Sequence, residues 1–152
     1  MKTVVILDSE FDSTHPMEAV LNRRGFVVLR AGTTKEAVNL LKSASGAPAD
    51  LVIIEAPLSG STSQAEAAVQ IHRSSPEIPI LLVSDLPLDK WPENDFLQFG
   101  QLLSGRADLL VKPLSQASFM SKANALIYTV SYGESKRLFE SASARRLAGV
   151  RV

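Results

Sequence analysis

The chain has 152 residues, 45% of them hydrophobic, with 16 basic and 16 acidic side chains and no cysteine. That length suits one domain with a sizeable core, zero formal charge excludes a whole-chain field for nucleic acid, and the lack of cysteine excludes disulfides and thiolate chemistry and agrees with a reducing cytoplasm. No apolar run approaches the ~18–20 residues of a membrane span, and the first run, Thr3–Leu7, is too short for a signal peptide and meets Asp8 and Glu10 at once.

In chain order, Thr3–Leu7 is β-branched, apolar and reads as the first strand. Thr14, His15 and Pro16 open a helix with proline in its first turn; Met17, Val20 and Leu21 form its stripe and Gly25 ends it. Phe26–Leu29 is the second strand. Thr33 and Glu36 have capping-box spacing ahead of a helix that buries Ala37, Val38, Leu40 and Leu41 and stops before Gly46. Leu51–Ile54 is the third strand; Ser61 and Gln64 form another capping-box pair before a helix with Ala65, Ala68, Val69 and Ile71. Pro76 and Pro79 bracket the turn into a fourth strand, Pro79–Val83. The stretch 86–105 is the least regular, with Trp91 between Pro87 and Pro92 and then an apolar-rich helix of Phe96, Leu97, Phe99, Leu102 and Leu103 that Gly100 weakens. Leu109–Val111 is the fifth strand, and Ser115 caps a helix carrying Phe119, Ala123, Leu126, Ile127 and Val130. Gly133 marks a break before residues 134–148, which look helical but only loosely amphipathic. Residues 133–152 hold five basic and two acidic side chains, a net +3 against −3 for residues 1–132. This tail reads as a solvated segment or linker rather than a partner-binding helix.

Strands alternating with helices indicate a parallel α/β sheet. Short, uninterrupted apolar strands are buried on both faces. Their carboxyl ends share one edge, where open α/β sheets build their sites. Asp8, Glu55, Ser84 and Lys112 follow four of the runs, so two acids, a hydroxyl and a lysine converge on one crevice. Glu55 is expected to meet Lys112 directly, reaching one methylene farther than aspartate, roughly 1.5 Å. Ser84 either bonds the Glu55 carboxylate or satisfies local backbone. Asp12 and Asp85 read as solvated loop charges, and Trp91 as a packing plug. His15 and His72 lie on different helices without metal-ligand spacing; His15 belongs near a helix start and His72 on the surface. No Gly-rich phosphate loop, nucleophile elbow, zinc pattern or nucleic-acid motif occurs.

Four segments in order resemble the receiver domains of two-component response regulators over residues 1–132. They are VVILDSE (4–10), DLVIIEAPLSG (50–60), IPILLVSD (78–85) and ADLLVKPL (107–114); AGTTKEAVNLL (31–41) resembles the family's alanine-containing second helix. The resemblance implies a doubly wound, five-stranded parallel sheet of flavodoxin-like order 2-1-3-4-5, followed by a basic, helical tail or linker at 133–152. It also marks departures. The phospho-acceptor aspartate is Glu55. The acidic pair is Asp8 and Ser9, with Glu10 following. Pro57 and Ser59 stand in a loop where the proline belongs at Ser59, and the aromatic switch position is Leu109. Ser84, Lys112 and Pro113 fit the family, in which the Lys-Pro bond is cis. The chain thus resembles a degenerate, or pseudo-, receiver.

The resemblance implies a cytoplasmic signal-transduction module without catalytic residues. It would not be phosphorylated at aspartate and would act by protein–protein interaction with a histidine kinase, effector or regulator. No cofactor is expected; magnesium, were it to bind, would use Asp8, Glu10 and Glu55. A homodimer is expected through the face built by Phe96–Leu103, Leu109 and the helix Ser115–Tyr132, where surplus apolar residues suggest a docking patch. No membrane contact is expected, and nucleic acid only through an appended domain. The alternative is a small α/β enzyme or nucleotide-binding domain using the same crevice.

Overall fold

The computed structural model describes residues 2–9, 16–43, 49–56, 63–104, 106–128 and 133–149. Five parallel strands form one sheet in the order β2-β1-β3-β4-β5. They are β1 Thr3–Leu7, β2 Val27–Ala31, β3 Leu51–Glu55, β4 Ile80–Ser84 and β5 Ala107–Val111. The helices are α1 Pro16–Arg23, α2 Thr34–Ser43, α3 Gln64–Ser74, α4 Glu93–Gly100, α5 Gln116–Tyr128 and α6 Gly133–Gly149, with 3-10 turns at Leu88–Lys90 and Gln101–Ser104.

The alternation of strand side chains divides the core in two. Val5, Leu7, Val52, Ile54, Ile80 and Leu82 face the layer of α2, α3 and α4. Val4, Ile6, Leu51, Ile53, Leu81 and Val83 face α1 and α5. Each buried Val, Leu or Ile contributes about 1.5–3 kcal/mol relative to exposure. The chain reverses direction across the sheet between β1 and β3, which leaves a crevice at their carboxyl ends.

Two strands, β2 and β5, differ from the sequence reading by more than one residue at an end, for physical reasons. β2 begins at Val27 rather than Phe26, because Gly25 at φ +86° turns Phe26 into the α1–α5 core. It runs on to Ala31, where Leu7 pairs with it; an edge strand is half-exposed, so Arg30 sits in it without breaking it. β5 begins at Ala107, two residues before the apolar run, because Asp108 is buried within the strand. Its carboxylate accepts from the Leu109 N–H at 2.8 Å and meets Lys122 of α5 at 2.7 Å. β3 and β4 take in Glu55 and Ser84 as their last residues.

Capping follows the sequence at α2 and α5. The Glu36 N–H donates to the Thr33 hydroxyl at 3.1 Å and the Ser118 N–H to the Ser115 hydroxyl at 3.0 Å. At α3 the cap is Ser63, which accepts from the Glu66 N–H at 3.1 Å. The expected Ser61–Gln64 pair is therefore replaced: Ser61 lies outside the described residues and Gln64 is drawn into the interior. Thr14, His15, Asp12 and Gly46 also lie outside them.

The helix expected through Leu103 stops at Gly100. Phe96, Phe99 and Leu102 are buried and Leu97 is exposed, so most of the anticipated apolar patch is covered. Its cover is α6. Phe139 stacks on Phe96 with ring centroids 4.7 Å apart, and Ala142 is fully buried in the same cluster. A Cβ at Gly100 would lie 3.2 Å from the Phe139 ring, so the close approach of α6 explains the glycine.

Candidate functional site at the carboxyl edge of the sheet

Asp8 follows β1, Glu55 ends β3, Ser84 ends β4 and Lys112 follows β5. The parallel register brings these ends to one edge. The Lys112 ammonium is 3.0 Å from Glu55 Oε1 and 3.5 Å from Asp85 Oδ1, and it donates to the Ala56 carbonyl at 2.8 Å. Its backbone N–H donates to the Ser84 carbonyl at 2.9 Å. The Lys112–Pro113 bond is cis. Burial pulls the lysine toward its neutral form, but the hydrogen bond and charge of Glu55, joined by Asp85, outweigh it and hold the ammonium above its ordinary value of 10.5.

Asp8 is buried and lies 3.8 Å from the Arg30 guanidinium, which also approaches Glu18 at 3.7 Å. Arg30 comes from β2, the strand paired with β1. Asp8 and Glu55 thus each face a basic side chain. Ser9 is half-buried beside Asp8. Glu10, Pro57 and Ser59 lie outside the described residues.

Of the two roles open to Ser84, the local one is observed. Its hydroxyl donates to the Leu86 carbonyl at 2.9 Å and accepts from the Leu86 N–H at 3.1 Å and the Trp91 indole N–H at 3.2 Å. Trp91 is buried, edge-on to Phe99. Leu109 is buried too, and packs in the cluster with Phe96 and Phe99 on the α4 side of the sheet. His72 is half-buried on α3.

Sequence reasoning missed two members of the site. Asp85 is the exposed charge expected of it, but it also reaches Lys112, because it directly follows the end of β4. Gln64 is buried and its amide donates to the Ile54 carbonyl at 2.7 Å and the Val83 carbonyl at 2.8 Å, tying the ends of β3 and β4 together. The one available signal was a polar side chain among Ala65, Ala67 and Ala68, small residues that let α3 sit close to the sheet. Beside the lysine, a cleft of about 820 Å³ opens between α1 and α5, lined by Met17, Val20, Leu114, Phe119, Glu55 and Lys112 among others.

An open parallel sheet with its charged residues at the switch-point edge is the flavodoxin-like architecture. Solved structures narrow it to the fold of response-regulator receiver domains. The chemotaxis protein CheY4 of Vibrio cholerae matches with a TM-score of 0.65 at 17% identity, over 83% of this chain and 98% of that one. A two-component response regulator from Clostridium difficile matches at 0.66 and 21%, over 85% of this chain and 98% of that one. The adenylate cyclase structure from Rhodopirellula baltica matches at 0.62 and 16%, over 99% and 98%. No family profile and no curated protein matches the sequence. Among the described residues no helix is long and apolar enough to cross a membrane.

Proposed function

We propose that this chain is a pseudo-receiver: a cytoplasmic signalling module that is not switched by aspartyl phosphorylation, has no catalytic turnover and works by binding proteins. The observation that carries the reading is the direct contact of 3.0 Å between Lys112 and Glu55. A carboxylate one methylene longer than aspartate reaches the lysine directly. Its position is also wrong for attack on a phosphodonor set for aspartate, and errors near 1 Å can cost about 10²-fold in rate.

Magnesium fits this edge poorly. It needs near-octahedral oxygen ligands, yet Asp8 faces Arg30, Glu55 faces Lys112, and Ser9 supplies a hydroxyl in place of a second acid. Among the described residues no three acidic or histidine side chains group as metal ligands. Leu109, buried and without ring hydroxyl, gives the crevice no aromatic switch.

The partners in this reading are a kinase, effector or regulator, and a second copy of the chain. On the face expected to dimerise, Leu97 and Tyr128 are the large apolar side chains that stay exposed among the described residues. The test is incubation with acetyl phosphate or phosphoramidate and magnesium, followed by intact mass. No adduct is expected. A stoichiometric adduct lost on Glu55→Gln would overturn the reading. In the absence of one, Glu55→Asp combined with Ser9→Asp is expected to regain phosphorylation if the rest of the machinery is retained.

The cleft beside Lys112 supports a second reading, a small-molecule or nucleotide binder. A thermal shift with nucleotides and magnesium that is lost on Lys112→Met would favour it over the first.

A further inference from the structure

α6 is held on the α4 face by more than apolar contact. Phe139 stacks on Phe96 and lies 6.5 Å from Phe99. Two helical turns on, the Arg146 guanidinium sits 4.3 Å from the centre of the Phe96 ring, a cation–π distance. The same guanidinium donates to the Trp91 carbonyl at 2.6 Å and to the Asp89 carbonyl at 3.4 Å, and Arg145 pairs with the Asp89 carboxylate at 3.3 Å. Every polar anchor of α6 in this group therefore falls on the segment 89–91.

That segment is fixed from the other side by the crevice. The Trp91 indole N–H is shared between the Ser84 hydroxyl and the Leu86 carbonyl at 3.0 Å, and Leu86 is itself bonded at both its N–H and its carbonyl to the Ser84 hydroxyl. Ser84 is thus the hub on which Trp91 hangs. Its own carbonyl receives the Lys112 backbone N–H. A continuous series of hydrogen bonds runs from the lysine strand end, through Ser84 and Trp91, to Arg146.

We propose that α6 is an intramolecular latch on the α4 face, and that its grip is set by the hydroxyl of Ser84 through Trp91. Linkage is reciprocal. A change at the crevice that draws the Ser84 hydroxyl away from Trp91 loosens α6, and a partner that lifts α6 off Phe96 and Phe99 frees Ser84. The latch requires no phosphorylation, so it stands or falls separately from the pseudo-receiver reading.

The test is native-state hydrogen exchange on the full chain, with β3 amides as the internal standard for global stability. Arg146→Ala is expected to speed exchange across residues 137–149 about tenfold, the loss of charge-assisted hydrogen bonds. Ser84→Ala is expected to speed the same amides about fivefold, while Ser84→Thr, which keeps a hydroxyl, stays within about twofold of the wild type. Because the links lie in series, the double variant is expected to match the larger single effect rather than their product. Unchanged α6 exchange in Ser84→Ala with β3 intact, or multiplicative effects in the double variant, overturns the latch. If Ser84→Ala also loosens β3, Trp91→Phe decides. It removes the indole N–H and keeps the carbonyl that Arg146 uses; faster α6 exchange supports the latch and unchanged exchange overturns it.

Discussion

Lys112 shows how one side chain links several strand ends. It reaches Glu55 of β3, the Ala56 carbonyl and Asp85 after β4, while remaining about one-third exposed. Solvent screens such a pair, so it contributes about 0–1 kcal/mol. Because the folded state raises the lysine's pKa, that contribution is complete below 10.5 and is lost as pH rises through the folded value. The difference in urea midpoint between wild type and Lys112→Met is therefore expected to be small and constant up to about pH 10 and to shrink above it. A difference that grows with alkalinity would contradict the ion pair. Gln64 is the costlier residue to remove. Gln64→Leu strips a donor from buried carbonyls of two strands, and a loss of about 1–3 kcal/mol is expected in urea denaturation. Asp8, Glu55, Ser84 and Lys112 were legible because each follows an apolar run. Gln64 and Asp85 were less so: small neighbours place Gln64 close to the sheet and Ser84 places Asp85 at a strand end, but neither records which strand end lies across from it.

At the scale of elements, the sequence was most legible where burial is symmetric. β1, β3 and β4 are covered on both faces, and their apolar runs mark them within a residue. β2 and β5 are the edges, where Arg30 and Asp108 interrupt the run; polar partners stabilise these positions in place of apolar neighbours. α6 was least legible. Its contact stripe is Leu138, Phe139, Ala142 and Arg146, at helical spacing, but one member is small and another charged. The arginine serves as an apolar surface over Phe96 while its head bonds backbone carbonyls. Phe139→Ala is expected to cost about 2 kcal/mol, below the 3–5 kcal/mol of a fully buried phenylalanine, since the ring is only partly buried. Urea unfolding measures it, with the single tryptophan, Trp91, as a local reporter. A cost near zero would mean that α6 adds little to the stability of the body.

The whole molecule is a sheet whose middle is sealed and whose borders are open. Every residue of β3 from Leu51 to Ile54 and of β4 from Ile80 to Ser84 is no more than 4% exposed, and Val4–Leu7 of β1 are equally covered. β2 has one neighbour strand and a half-exposed face, and α6 lies on one side of the sheet against the turn Leu88–Lys90, β5 and the aromatic side chains of α4. Opening the middle strands breaks both core layers at once, whereas releasing α6 breaks part of one. Free energies of opening are therefore expected to be graded, with β1, β3 and β4 exchanging only through global unfolding and β2 and α6 through smaller openings. Hydrogen exchange across a denaturant series reads this directly: the slow strands should converge on one line with the full unfolding slope, and α6 should lie below it with a shallower slope. If α6 fell on the same line as β3, the helix would be an inseparable part of the core. The latch would then have no open state for Ser84 to control.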